Sequence, residues 1–268
     1  MLDFGRKNIL GIGINAVDYE AAVEKIIGAA REKRPFAVSA LAVHGVMTGA
    51  TDRAHRYRLN KLDLVVPDGQ PVRWALNYLY KTELADRVYG PTLTLKVCER
   101  AAAEGLSIYL YGSQSEVLEK FSRNLCRKFP KLKIAGGQPS KFRQITEEEQ
   151  IELAETIKRS GASIVLVGLG CPRQEIFAFE NRNLIPMPLM AVGAAFDFHA
   201  GTLPQAPDFL QKRGLEWFYR LVQEPKRLWK RYATTNPLYV WMIMLQFFGI
   251  RDLGKQKTLP PNEQMRFG

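Results

Sequence analysis

The stretch 62-LDLVVPDGQPVRWAL-76 sets a carboxylate, Asp68, between an apolar run and a helical pattern. Leu62 to Val66 read as a buried strand whose only polar residue is Asp63, and Pro67 and Gly69 bracket the acid in a turn. An acid in that place has two uses. As a turn residue or helix N-cap it accepts hydrogen bonds from orphan backbone N–H groups. As a general base it takes the proton of an attacking hydroxyl while a leaving group departs.

A second candidate is 166-LVGLGCPRQE-175. Gly168 and Gly170 let backbone approach a ligand after a strand, and Pro172 opens a helix. Loop amides and a helix N-terminus attract phosphate, and Arg173 and Gln174 add donors. The same pattern also fits a plain strand-to-helix turn. Cys171 has no histidine nearby in sequence and reads as a small packed residue rather than a nucleophile. The stretch 11-GIGINA-16 has the outline of a dinucleotide fingerprint, but Asn15 and Asp18 delay the helix, which favours strand packing or a turn. In 192-VGAAFDFHAGTLPQAP-207, Asp197 and His199 offer a catalytic or metal pair. They lack a third ligand nearby, so local hydrogen bonding is preferred. His44 and His55 read as structural.

Positioning these groups requires elements, and the periodicity supplies them. Strands are expected near 8–14, 36–42, 62–67, 107–112, 132–137, 163–168 and 188–193. Helices are expected from Asp18 through Glu32, from Pro91 through Glu104, over Ser115 to Lys128 and over Thr146 to Arg159. Apolar strands alternating with helices predict an α/β fold with a mostly parallel sheet covered on both faces. Ligands in such folds sit outside the carboxyl ends of the strands, which is where Asp68 falls.

The 268 residues suffice for one large domain, and 46% hydrophobic with 24% charged residues is ordinary for a globular chain. The formal net charge of +11 favours an anionic partner: nucleic acid, a phosphorylated substrate or an anionic membrane face. Three scattered cysteines, Cys98, Cys126 and Cys171, exclude a disulfide framework and fit a reducing compartment. The first ten residues carry no secretory pattern. The apolar run 237-PLYVWMIMLQFFGI-250 contains Gln246 and falls short of the roughly 20 residues that span a bilayer, so an interfacial or buried segment is expected. Upstream of it, 212-KRGLEWFYRLVQEPKRLWKRY-232 interleaves basic residues with Trp217, Phe218, Tyr219, Trp229 and Tyr232. This is either an ordinary amphipathic helix or, as preferred here, a membrane-surface element.

Taken together, VPDGQPVRWAL, RVYG, VGLGCPRQE, AVGAAFDFHAG and RGLEWFYRLVQEPKRLWKRY resemble the WecG/TagA/CpsF glycosyltransferases, in order, over residues 8 to about 240. The resemblance implies a Rossmann-like α/β fold with a C-terminal helical membrane-associating appendage. It implies an inverting transfer of a sugar from a UDP-sugar to a polyprenyl-diphosphate-linked saccharide in bacterial surface or exopolysaccharide synthesis. By the family pattern Asp68 is the general base, Arg87 faces the donor diphosphate and Gln174 lies in the nucleotide pocket. Arg213, Arg220, Arg227 and Arg231 become candidates for the acceptor diphosphate and the membrane. Ser39, Gly168, Gly170, Arg173 and Asp197 complete the expected donor site. No cofactor or metal is expected, since cationic side chains can neutralise a diphosphate. The implied location is peripheral, on the cytoplasmic face of the plasma membrane, with a homo-oligomer possible off it.

Two departures bear on the sugar. Leu41 stands where the family usually has Asn, and Thr92 where it often has Asp. Both remove polar groups, which leans toward a neutral hexose such as glucose, with N-acetylmannosamine and its uronate as alternatives. The expected organisation is a catalytic domain over 1–205, a basic aromatic appendage over 206–250 and a flexible tail over 251–268. A dinucleotide-dependent oxidoreductase, resting on GIGINA, and a nucleic-acid-binding module, resting on charge and aromatics, are the competing readings; no nucleic-acid partner is expected.

Overall fold

The computed structural model describes residues 1–250, 254 and 258–268. It opens with a hairpin of β1 (Asp3–Ile9) and β2 (Ile12–Val17). This corrects the expectation of one strand over 8–14. Leu10 and Gly11 form a two-residue turn with φ of 52° and 86°, the geometry that matches the twist of a tight hairpin. Leucine at positive φ is no turn signal, which is why periodicity alone ran the two strands together. The glycines of GIGINA therefore lie in a hairpin, and the next helix begins only at Tyr19. Asn15 instead accepts the Val65 N–H at 2.9 Å and ties the hairpin to the main sheet.

That sheet has six strands, all parallel, in the order β4-β3-β8-β7-β5-β6. They are β3 (Phe36–Leu41), β4 (Leu64–Pro67), β5 (Ser107–Gly112), β6 (Lys133–Gln138), β7 (Ile164–Gly168) and β8 (Pro188–Ala191). One face is covered by α1 (Tyr19–Arg31), α5 (Gly90–Glu104), α6 (Ser115–Lys128) and α9 (Ala195–Ala200). The other carries α2 (Val43–Thr51), α3 (Arg53–Asn60), α4 (Gln70–Tyr80), α7 (Glu147–Arg159) and α8 (Arg173–Asn181), together with the hairpin. Asp18 caps α1 by accepting the Ala21 N–H, and Thr146 with Glu149 forms a reciprocal capping box on α7. Burial on both faces explains why β4, β7 and β8 read as unbroken apolar runs.

Beyond residue 205 come α10 (Asp208–Lys212), α11 (Glu216–Gln223) and α12 (Pro225–Phe247). α12 buries Leu228, Tyr239 and Met242 against the body, and the Tyr239 hydroxyl donates to Pro71 O at 3.1 Å. Gln246, the polar residue in the apolar run, grips the hairpin turn. It accepts the Leu10 N–H at 2.9 Å and donates to Asn8 O at 2.8 Å. Among the described residues no helix is long and apolar enough to cross a membrane.

Of the expected flexible tail, residues 251–253 and 255–257 lie outside the described residues, while 258–268 is laid on the body. Ile145 N–H donates to Arg266 O and Gly268 N–H to Arg143 O, each at 3.0 Å, and the Arg58 guanidinium reaches Glu263 O. These contacts tie the described end of the tail to the loop before α7 and to α3.

Gly112 ends β5 at φ 108° directly opposite Gly168 of β7, and an added Cβ would stand 2.7 Å from the Gly168 carbonyl. Replacing Gly112 by Ala is expected to lower unfolding free energy by about 2–4 kcal/mol, from left-handed strain plus a backbone clash, read as a fall in the urea midpoint.

Candidate functional site

The site forms at the carboxyl edge of β3, β4, β7 and β8. Asp68 follows β4 immediately. Its N–H donates to Leu41 O at 3.2 Å, and Pro67 O accepts from Val88, which pulls the segment before α5 alongside. At the start of α5 the Gly90 N–H donates to Asp68 Oδ1 at 2.5 Å. A Cβ at Gly90 would stand 3.1 Å from the Ala40 Cβ and 3.3 Å from that oxygen, so a larger residue would fit only if they shift by a few tenths of an ångström. Burial lifts the Asp68 carboxyl to a pKa of about 6. The Arg87 charge, the Gly90 N–H and the Arg220 charge pull it down, and Glu216 pushes it up. The side chain is half-buried rather than sealed, so water shares in screening it.

Arg87 is buried beside it. Its Nη2 donates to Glu216 Oε2 at 2.6 Å and to Gln211 Oε1 at 3.1 Å, and its guanidinium lies 3.9 Å from the centre of the Tyr89 ring. The Tyr89 hydroxyl donates to Glu216 Oε1 at 2.9 Å. Burial raises the Tyr89 phenol, so it stays protonated.

Under β3, Ser39 and Gln174 meet on one acid. Ser39 Oγ donates to Glu175 Oε1 at 3.1 Å and Gln174 Nε2 to the same oxygen at 2.9 Å. Burial raises the Glu175 carboxyl, and those two donors together with Cys171 oppose it. Gln174 Oε1 is buried without a hydrogen-bond partner among the described residues, facing Gly193. The Cys171 thiol is pushed well up by burial and the neighbouring Glu175, which suits packing and not nucleophilic attack.

The other expected residues divide. Gly168 lies under Phe196, whose ring an added Cβ would meet at 2.8 Å, and its carbonyl accepts from Ser113; it is a packing glycine in this structure. Gly170, at φ 75°, has open space around it. Arg173 is exposed, with its guanidinium 5.8 Å from the centre of the Phe267 ring, away from Asp68's partners. Asp197 accepts from Thr202 at 3.3 Å; burial raises its carboxyl, and Arg227 lowers it. His199 instead bonds Pro91 O at 2.9 Å, so Asp197 and His199 do not pair. Among the described residues no three potential ligands converge on a metal site.

Three of the four appendage arginines bear on the site. Arg220 acts on Asp68, Arg227 on Asp197, and Arg231 on His44 and Cys171. The Nε atoms of Arg220 and Arg231 are buried without hydrogen-bond partners among the described residues. Arg213 caps α10 and is exposed. Leu41 is a core residue against Gly45, and the Thr92 hydroxyl is engaged by Tyr19, so neither departure leaves an open polar group.

Sequence reasoning missed Tyr89, Glu175, Gln211 and Glu216. Tyr89 and Glu175 sit inside quoted motifs, next to residues singled out. Glu216 also sits inside a quoted motif, but its partner, like that of Gln211, lies more than a hundred residues upstream, so neither pairing has a local signal.

The family model described as "Glycosyl transferase WecG/TagA/CpsF family" matches residues 7–252.

The Asp68 shift has a thermodynamic consequence. Its folded pKa, about 6, lies above the ordinary 3.8, so the stability it lends is complete below pH 3.8 and is lost as pH rises through 6. Asp68→Asn is therefore expected to be more stable than wild type at pH 7.5 by about 1–2 kcal/mol, after allowance for solvent screening, with the gain gone near pH 4. Urea unfolding at the two pH values measures it.

Proposed function

The chain belongs to the WecG/TagA/CpsF glycosyltransferase family, so it moves a sugar from a donor to an acceptor, and from that premise we propose the finer reaction. The donor is a UDP-sugar and the acceptor a polyprenyl-diphosphate-linked saccharide, used with inversion in bacterial surface or exopolysaccharide synthesis. The observation that carries this reading is the pairing of Asp68 with Arg87 at the open edge of a parallel sheet, under arginines delivered by the appendage.

In the proposed step the acceptor hydroxyl oxygen attacks the donor's anomeric carbon from the face opposite UDP. Its proton passes to Asp68, whose pKa near 6 leaves it largely ionised at neutral pH yet still basic. The bond from the anomeric carbon to the diphosphate oxygen breaks, and its electron pair leaves with UDP. Arg87 and Arg220 meet that growing negative charge, a task the guanidinium fork suits. Gln174, with a free buried oxygen, is assigned to the nucleotide. A neutral hexose such as glucose is the preferred donor sugar, because Leu41 and Thr92 offer no free polar group to an N-acetyl or uronate substituent. N-acetylmannosamine and its uronate are the alternatives.

A lipid acceptor calls for a lipid surface. α12 exposes Leu238, Trp241 and Met244 at helical spacing, its C-cap Phe248 continues the patch, and Phe247 extends it onto Tyr78 of α4 at 4.4 Å. Lys226 and Lys230 stand exposed on the same helix. An exposed apolar patch on a helix whose first turns carry exposed lysines supports docking on the anionic cytoplasmic face of the plasma membrane.

Purified protein incubated with a panel of UDP-sugars and a diphosphate-linked lipid analogue is expected to release UDP from one donor. Asp68→Asn should slow turnover by about 10²–10⁴-fold while remaining folded. Near-normal turnover in that variant would remove the base assignment. Trp241→Ser with Phe248→Ser is expected to lose most binding to anionic vesicles in flotation and leave thermal stability within a few degrees of wild type.

A further inference from the structure

The appendage is dominated by lysine and arginine, yet an acid, Glu216, makes its closest contact with the catalytic edge. That contact spends one guanidinium nitrogen of Arg87 and no more. Nη2 uses its two N–H groups on Glu216 and Gln211, while Nε and Nη1 carry no hydrogen bond among the described residues. The Nε–H and the two Nη1 N–H groups, which point to different sides of the plane's rim, remain available. The held corner is rigid. Tyr89 stacks on the guanidinium at 3.9 Å and donates to the second Glu216 oxygen, so both carboxylate oxygens are occupied and the ring locks the plane of the fork. The side chains of Arg87 and Glu216 are only 7% and 12% exposed, so water does little to weaken the pair.

We propose that Glu216 is a positioning residue of the transfer reaction: it holds the Nη2 corner of Arg87 and keeps the remaining N–H donors on Nε and Nη1 placed for the leaving diphosphate. This rests on the UDP-sugar reading above and goes beyond it. The arginines of the appendage add charge; Glu216 adds direction, and it is present at the site only while α11 is docked. Glu216 also belongs to the set of groups around Asp68. Those are the Gly90 N–H from α5, Arg87 from the segment before α5, and Glu216 and Arg220 from α11. Neutralising Glu216 therefore removes a negative charge that favours the protonated acid, and Asp68 becomes easier to ionise.

The test uses full-length protein and UDP as the probe. Glu216→Ala is expected to bind UDP about tenfold more weakly, the loss of one charge-assisted hydrogen-bonded partner, and Glu216→Asp to recover most of that affinity. In Glu216→Gln, whose oxygen can still accept from Arg87 while its Nε2 donates to the Tyr89 hydroxyl, the acid limb of the pH profile of kcat/KM should move to lower pH. Unchanged UDP affinity with an unmoved acid limb would overturn the proposal. Tighter UDP binding by Glu216→Ala would also overturn it, by marking Glu216 as an occupant of the diphosphate's place. So would a loss of affinity that merely follows a fall in melting temperature and leaves the acid limb unmoved. A wild-type protein that neither binds UDP nor turns over any UDP-sugar removes this proposal and the donor reading together. An active wild type with indifferent variants removes this proposal alone.

Discussion

Asp68 and Arg87 carry opposite charges in a half-buried corner, and the rest of the molecule is arranged around keeping both charges there without fusing them into a simple ion pair. The carboxylate is turned toward the amide at the head of α5, and the guanidinium is turned toward Glu216. Each charge has its own counterpart, so neither is consumed by the other. A direct bidentate pair would have tied the two groups to each other and left Glu216 without its guanidinium partner.

The sheet makes this separation possible. Parallel strands end in register, so residues distant in sequence converge where β3, β4, β7 and β8 stop. Helix layers on both faces keep the strands dry up to that edge, which is why a carboxylate one residue beyond β4 feels enough burial to titrate near pH 6. Gly112 lets its backbone meet that of Gly168, while Gly90 makes room for the Asp68 carboxylate and Gly168 for the Phe196 ring. A site of this kind is destabilising by construction, since it holds a charge where the fold would accept a neutral group.

Much of this was legible in the sequence, and for local reasons. Asp18, Pro91 and the Thr146 with Glu149 pair announce helix starts through their own capping chemistry, and the strands announce themselves as short apolar runs. Asp68 was legible because its position follows from where β4 must end. The Leu10 and Gly11 turn was not, since a leucine at positive φ obeys tertiary demand over propensity. α2 and α3 were not, because their sequence mixes Gly45, Gly49 and polar residues without a clean stripe. Glu216 was illegible for a deeper reason. Its meaning comes from Arg87, and nothing within its own helix encodes that partnership.

The grip of Gln246 on the hairpin turn joins residues 236 and 238 positions apart in the chain. On a ribosome that is a long wait. The hairpin, the sheet and Asp68 can all be synthesised and packed while the Leu10 N–H still faces solvent and Arg87 has no Glu216 to hold it. Closing so large a loop is entropically slow, and translation adds residues in order, so the edge acquires its last partners only when α12 has been made. A nascent chain interrupted earlier would lack the Glu216 contact to Arg87. The strands that build the corner thus precede in sequence the helices α11 and α12 that complete its contacts.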